Sequence, residues 1–195
     1  MLRLLSGFLP FFLCLAVLNS CGTKTEVTEI KDFKLFIMDS DPEIQDRMGR
    51  LIQEFNGELG FQALSFVDNE YDANSPIFIT DNIYDETNHH VGWGQWIAET
   101  HETKQVSITS ATKIKRKVHY RMRIEFDRNY FLRRMHAEEG TPESYDLKKL
   151  FAHEVGHGMK MEHNEGDARD VMYPNIGGTK DFDTYYSQVR SFYGI

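Results

Sequence analysis

Cysteine is almost missing from this chain: Cys14 and Cys21 are the only two, and both lie near its start. No disulfide framework is available to the rest, so stability must come from a hydrophobic core and from any bound metal. Positive net charge is missing too. The formal charge is −8, which argues against nucleic-acid binding and suits solubility instead. Internal repeats and low-complexity tracts are absent. Only one long apolar run occurs, Leu4 to Leu18, and its about 15 residues are short of the roughly 20 that span a bilayer as a helix.

That run, preceded by Arg3, has the layout of a secretory signal peptide. It ends in Leu18-Asn19-Ser20-Cys21, which resembles the lipobox of bacterial lipoproteins. The resemblance implies a signal over residues 1–20, cleavage before Cys21, and lipidation of Cys21 by more than one fatty chain, enough for stable membrane attachment. An uncleaved anchor or an ordinary cleavage that leaves Cys21 free are the alternatives. Residues 21–32 then read as a polar tether and 33–195 as one domain, large enough to bury a sizeable core. The tether is too short for a prodomain. Gly22, rather than Asp, after the lipidated cysteine implies the outer membrane if the host is Gram-negative.

Within the domain, the pattern is mixed α and β. Phe33–Met38 reads as a strand, and Asp41-Pro42 opens a helix with Ile44, Met48, Leu51, Ile52 and Phe55 at helical spacing, closed by Gly57 and Gly60. Strands are expected over 61–67, 77–80, 92–99 and 105–109. Val118 to Phe126 alternates apolar and polar residues, the period of a half-buried strand. Thr141-Pro142 starts a second helix, and Phe182, Tyr185, Tyr186, Val189, Phe192 and Tyr193 mark an amphipathic helix at the C-terminus.

The second helix carries His153-Glu154-Val155-Gly156-His157, followed by His163 and by Met172-Tyr173-Pro174. Residues four apart on a helix lie about 40° apart in azimuth and roughly 6 Å along the axis, so His153 and His157 can reach one metal ion from one face. Glu154 flanks that pair, where a carboxylate can take a proton from a metal-activated water. His163 would sit about 240° round from His157 on a continued helix. The chain must therefore leave the helix after about Met159 and fold back. Three imidazoles would then leave one position open for water, as a catalytic zinc requires.

This segment resembles the metzincin zinc-binding signature with its methionine-containing turn, and within it the matrixin branch, similar to matrix-metalloproteinase-like catalytic domains. The resemblance covers Leu150 to Ile176. It implies an α+β zincin domain: a twisted mixed sheet, two long helices before the methionine turn, and a C-terminal helix. It further implies zinc on His153, His157 and His163, Glu154 as general base and acid, Met172 as a floor beneath the metal, and Pro174, Asn175 and Ile176 along the substrate pocket. Lys160 departs from the pattern, standing where the family has a glycine in left-handed conformation. With no cysteine to plug the zinc, a cysteine switch is excluded.

The expectation is a monomeric, lipid-anchored zinc endopeptidase acting on proteins or peptides. Its rivals are a non-catalytic envelope lipoprotein that retains the zinc site, and a zinc hydrolase whose third ligand is a downstream Glu. A structural Ca²⁺ or second Zn²⁺, for which His89, His90 and His101 with Asp85 or Glu86 are candidates, lacks a clear motif. Lys113, Lys115, Arg116 and Lys117 form a basic run that reads as a solvated strand end, or as a contact for anionic lipid headgroups or cell-wall polymers.

Overall fold

A computed structural model of the chain describes residues 23–81, 83, 91–105, 112–138, 140–175, 177–178 and 180–195. The signal segment, Cys21, His89, His90, Asp85, Glu86 and Ile176 lie outside the described residues. The class is α+β. In chain order the elements are β1 (Lys24–Ile30), β2 (Phe33–Ile37), α1 (Pro42–Leu59), β3 (Leu64–Phe66), β4 (Ser75–Thr80), β5 (Gly92–Gln105), β6 (Lys113–Asp127), α2 (Arg128–Met135), α3 (Pro142–Gly158) and α4 (Phe182–Tyr193).

The described chain clusters into two units. The larger comprises Lys31–Glu99 and His119–Ile195. Its sheet runs β3-β2-β4-β6, with β5 paired to β6. The β2–β3, β2–β4 and β4–β6 ladders are all parallel, so the sheet is mostly parallel rather than evenly mixed. Parallel neighbours need a crossover connection, and α1 supplies it between β2 and β3. Side chains alternate along each strand: Leu35 and Ile37, Ile77 and Ile79, and Met122, Ile124 and Phe126 point into the core.

Helices α1 and α3 cover that core. Asp41 accepts a hydrogen bond from the Glu43 amide and Thr141 from that of Ser144, with Pro42 and Pro142 in the first turns, which starts both helices where the sequence places them. Gly57 lies inside α1, and Gly60 (φ +77°) terminates it. Leu147, Leu150, Phe151 and Val155 of α3 are buried. The Phe151 ring meets Phe55 of α1 at 6.0 Å and Phe126 of β6 at 6.5 Å between centroids, joining helix, helix and sheet. Tyr185 of α4, fully buried, donates its hydroxyl to the Ala152 carbonyl of α3.

Several boundaries differ from expectation. β3 is short because the Asn56 side chain takes the amides of Ala63 and Leu64. β4 starts at Ser75, ahead of Pro76. β5 runs on to Gln105, past the expected end at Glu99, and the strand expected over 105–109 lies, beyond Gln105, outside the described residues. α2, capped by Asp127, was not anticipated.

The smaller unit holds the described residues before Lys31 and those between Thr100 and Val118. Residues 24–30, read from sequence as tether, form β1, which pairs with β6; the Lys24 amide donates to the Thr112 carbonyl at 3.0 Å. Thr25, Val27, Thr28 and Ile30 are β-branched, which suits a strand. Lys113, Lys115, Arg116 and Lys117 are exposed along the start of β6, with Arg116 paired to Glu102. His101 is exposed on β5.

Candidate metal centre

α3 ends at Gly158, and the next turn brings the third histidine round. The Lys160 amide bonds to the His157 carbonyl at 3.1 Å and the Met161 amide to that of Gly156 at 2.9 Å. This is a Schellman closure, and its left-handed position is Lys160, with φ +66°. Lys160 therefore takes a conformation that glycine adopts more readily, at a strain of about 1 kcal/mol. Offsetting contacts surround it. The Lys160 ammonium lies 4.6 Å from the Trp96 ring centroid and 4.7 Å from that of Tyr120, and it donates to the Tyr120 hydroxyl at 3.1 Å.

The chain then doubles back. His163 Nε2 stands 3.1 Å from His157 Nε2 and 3.2 Å from His153 Nε2. Nitrogens on a tetrahedral zinc, bonded at roughly 2.0–2.1 Å, stand about 3.3–3.4 Å apart, so the spacing matches a shared ion. The opposite ring nitrogens are held as well: His153 Nδ1 lies 2.7 Å from the Val171 carbonyl and His157 Nδ1 2.9 Å from that of Met161. Donation to those carbonyls places the Nδ1 protons and leaves both Nε2 atoms as lone pairs. His163 can donate to one of them at most. At least one nitrogen pair thus sets lone pair against lone pair, an arrangement that a cation between the rings relieves.

Among the described residues this is the one group of three metal-ligating side chains close enough to hold an ion. His153 is buried, His157 half-buried and His163 exposed, so the cluster opens to solvent on the His163 side. Burial, reinforced by the neighbouring histidines, lowers the His153 pKa to about 4, and burial also lowers that of His157. Both shifts favour the neutral ring, the form that ligation requires.

Glu154 is buried, and desolvation raises its pKa to about 8. Two glycines of β5 make room for it. A Cβ on Gly92 would stand 2.5 Å from Glu154 Oε1, and one on Gly94 2.2 Å from the Glu154 carbonyl oxygen. The strand thus runs against the helix at the turn that carries the histidines.

Met172 lies under that turn. Its sulfur would be 2.3 Å from a Cβ on Gly156, so the side chain packs on the helix between the two ligand positions. The turn holding it is tied down twice: Asp170 accepts from the Met172 amide at 2.8 Å and from the Asn164 side chain at 2.7 Å, while the Asn164 amide donates to the Met172 carbonyl at 3.0 Å. Met172 and His163 are thereby set in one local framework.

Pro174 and Asn175 are exposed and do not line the cavity beside the histidines. Their segment is fixed by two buried lysines. Lys180 donates to the carbonyls of Ala168 (3.0 Å) and Asn175 (2.7 Å), and Lys149 to that of Gly178 (2.6 Å). The roles of Gly92, Gly94, Lys149 and Lys180 escaped the sequence reading. The Gly-Trp-Gly spacing in an otherwise strand-like segment is the one signal that could have marked a close backbone approach.

No protein-family model matches this chain, and no curated protein does.

Proposed function

We propose that this chain is a zinc-dependent endopeptidase with a metzincin-like domain, in which His153, His157 and His163 hold the metal and Glu154 is the general base. The observation that carries this reading is the convergence of three Nε2 atoms, two of them 3.1 and 3.2 Å from the third, with a buried carboxylate next in the sequence to one ligand. Zinc held there supplies a Lewis acid and lowers the pKa of water at its open position.

The protein's own groups do the rest. The Val171 and Met161 carbonyls orient two of the imidazoles and raise their basicity. Glu154 accepts the proton of the attacking water and returns it to the leaving amine nitrogen. Burial raises its pKa in the metal-free protein, and a zinc ion beside it would favour the carboxylate that takes the proton. β5 pairs only with β6 among the described residues. Its other edge offers backbone groups to an extended peptide, which favours protein or peptide substrates. Cys21, as the lipid anchor, would place the enzyme at a bacterial envelope membrane.

Replacing Glu154 by Ala is expected to abolish peptide hydrolysis while about one zinc per chain remains, measured by a peptide-library assay and metal analysis on the same sample. Retained hydrolysis excludes this mechanism. Lys160, the residue that favours a non-catalytic zinc protein, adopts the left-handed turn that the third ligand needs, so it is no obstacle to the site.

A further inference from the structure

Beside the histidines lies a cavity of about 350 Å³ whose walls include Gly94, Trp96, His157, Lys160, Met161 and His163. Lys160 is part of that wall, and its ammonium lies over the ring of Trp96, another wall residue, and is bonded to the Tyr120 hydroxyl. An ammonium has three N–H donors. One serves Tyr120, and an aromatic face attracts the charge without accepting a directed bond of comparable strength. Among the described residues no carboxylate lies within ion-pair distance of it. Glu162 lines the same cavity, and no ion pair joins it to Lys160.

We propose that Lys160 is a specificity-determining residue whose ammonium binds a carboxylate of the peptide substrate. The inference rests on the endopeptidase reading and adds a substrate class to it. The cation is held by Trp96, on the strand whose other edge, unpaired among the described residues, would carry the peptide, and Lys160 shares a cavity with two of the three histidines. A carboxylate there, from an acidic side chain or from the peptide's own C-terminus, accepts the remaining N–H donors. The ammonium is already positioned by two aromatic rings, so little ordering is needed on binding. This also gives the strained lysine at φ +66° a role that glycine would not fill.

The test uses the zinc-loaded full chain carrying Glu154→Gln, in detergent, with binding read by tryptophan fluorescence. Three peptide probes are titrated: a neutral peptide with an amidated C-terminus, the same peptide with one Glu moved along it, and the neutral peptide with a free C-terminus. Binding about tenfold tighter for a carboxylate-bearing probe is expected, weakening with salt as a partly exposed charge pair does. The probe that gains identifies the source of the carboxylate. Lys160→Met, which keeps the stem and the backbone strain, is expected to erase the difference, and Lys160→Arg to retain part of it. Should Lys160→Met fail to fold, Lys160→Gly serves, since the left-handed turn accepts glycine. Equal binding of the three probes, or a preference that survives loss of the ammonium, overturns the proposal. Hydrolysis by the unmodified chain without charge preference overturns this inference alone. Carboxylate-dependent binding together with no hydrolysis of any probe by the unmodified zinc-loaded chain overturns only the endopeptidase reading.

Discussion

At the scale of single residues, the space under the histidines is set by one missing Cβ. Gly156 faces the Met172 sulfur at 2.3 Å and the Tyr185 ring at 3.3 Å, measured from where its Cβ would be. Met172 is almost wholly buried and its backbone is fixed on both sides by Asp170 and Asn164. An added methyl therefore has to displace either the sulfur or the turn that also carries the Val171 carbonyl, the partner of His153. Gly156→Ala is expected to destabilise the metal-free protein by about 1–3 kcal/mol, the range for overpacking a core. It should also weaken zinc binding, because His153 loses its orientation. Urea unfolding and competition with a chelator measure the two effects. Unchanged zinc affinity would show that the methionine turn does not position the ligand.

At the scale of elements, β5 is where this site depends on long-range contact. Gly94 meets main-chain atoms of α3, with the Glu154 carbonyl oxygen at 2.2 Å from a built Cβ, so no side-chain rotation relieves a substitution there. Gly94→Ala is expected to push the strand off the helix, with a stability loss of about 1–3 kcal/mol and a fall in kcat/KM of more than about tenfold, since small misplacements at a reacting centre have large effects. Gly57→Ala is the control: it is an exposed glycine in the last turn of α1, with nothing within 4 Å of where its Cβ would be. That change should stabilise by about 0.5–1 kcal/mol through helix propensity. Thermal melts of the two variants are expected to move in opposite directions.

This contrast marks what could be read from the sequence. Helix starts at Asp41-Pro42 and Thr141-Pro142 were legible because capping is local chemistry. The alternation that buries Tyr120, Met122, Ile124 and Phe126 was legible for the same reason. The pairing of His153 with His157, and Glu154 beside them, followed from helical spacing, whereas His163 needed a fold-back that only the resemblance supplied. Gly94 reaches Glu154 across 60 positions, however, and the carbonyls that orient His153 and His157 belong to Val171 and Met161, where any residue type would present the same oxygen. Such contacts leave no mark on composition. The extension of β5 past Glu99 and the pairing of β1 with β6 likewise depend on neighbouring strands rather than on the residues inside each segment.

For the whole molecule, the site couples stability to pH and to metal. In the metal-free protein, His153 titrates at about 4 when folded, against an ordinary value of 6.5. Between those values the unfolded chain binds a proton that the folded chain does not, so stability falls as pH drops from 6.5 towards 4. His157 is shifted the same way and steepens that limb. Glu154 acts in the opposite sense: folded it titrates at about 8, against 4.5, so it keeps a proton that the unfolded chain releases. Its contribution is full below 4.5 and is lost as pH rises towards 8. Between pH 4.5 and 6.5 the His153 and Glu154 slopes oppose each other and nearly cancel, His157 tips the balance towards a rise with pH, and above pH 6.5 Glu154 acts alone. The chelated protein is therefore expected to lose stability above pH 6.5, by about 2 kcal/mol at pH 8, taking roughly 1.4 kcal/mol per pH unit per proton. Glu154→Gln should remove the alkaline decline and leave the acid one. Zinc should add stability as the logarithm of its free concentration over its Kd, by about 4 kcal/mol at a thousandfold excess, and that gain should shrink as acid protonates the ligands. Urea unfolding across pH, with and without chelator, checks both limbs. An alkaline limb that persists in Glu154→Gln would show that another group drives it.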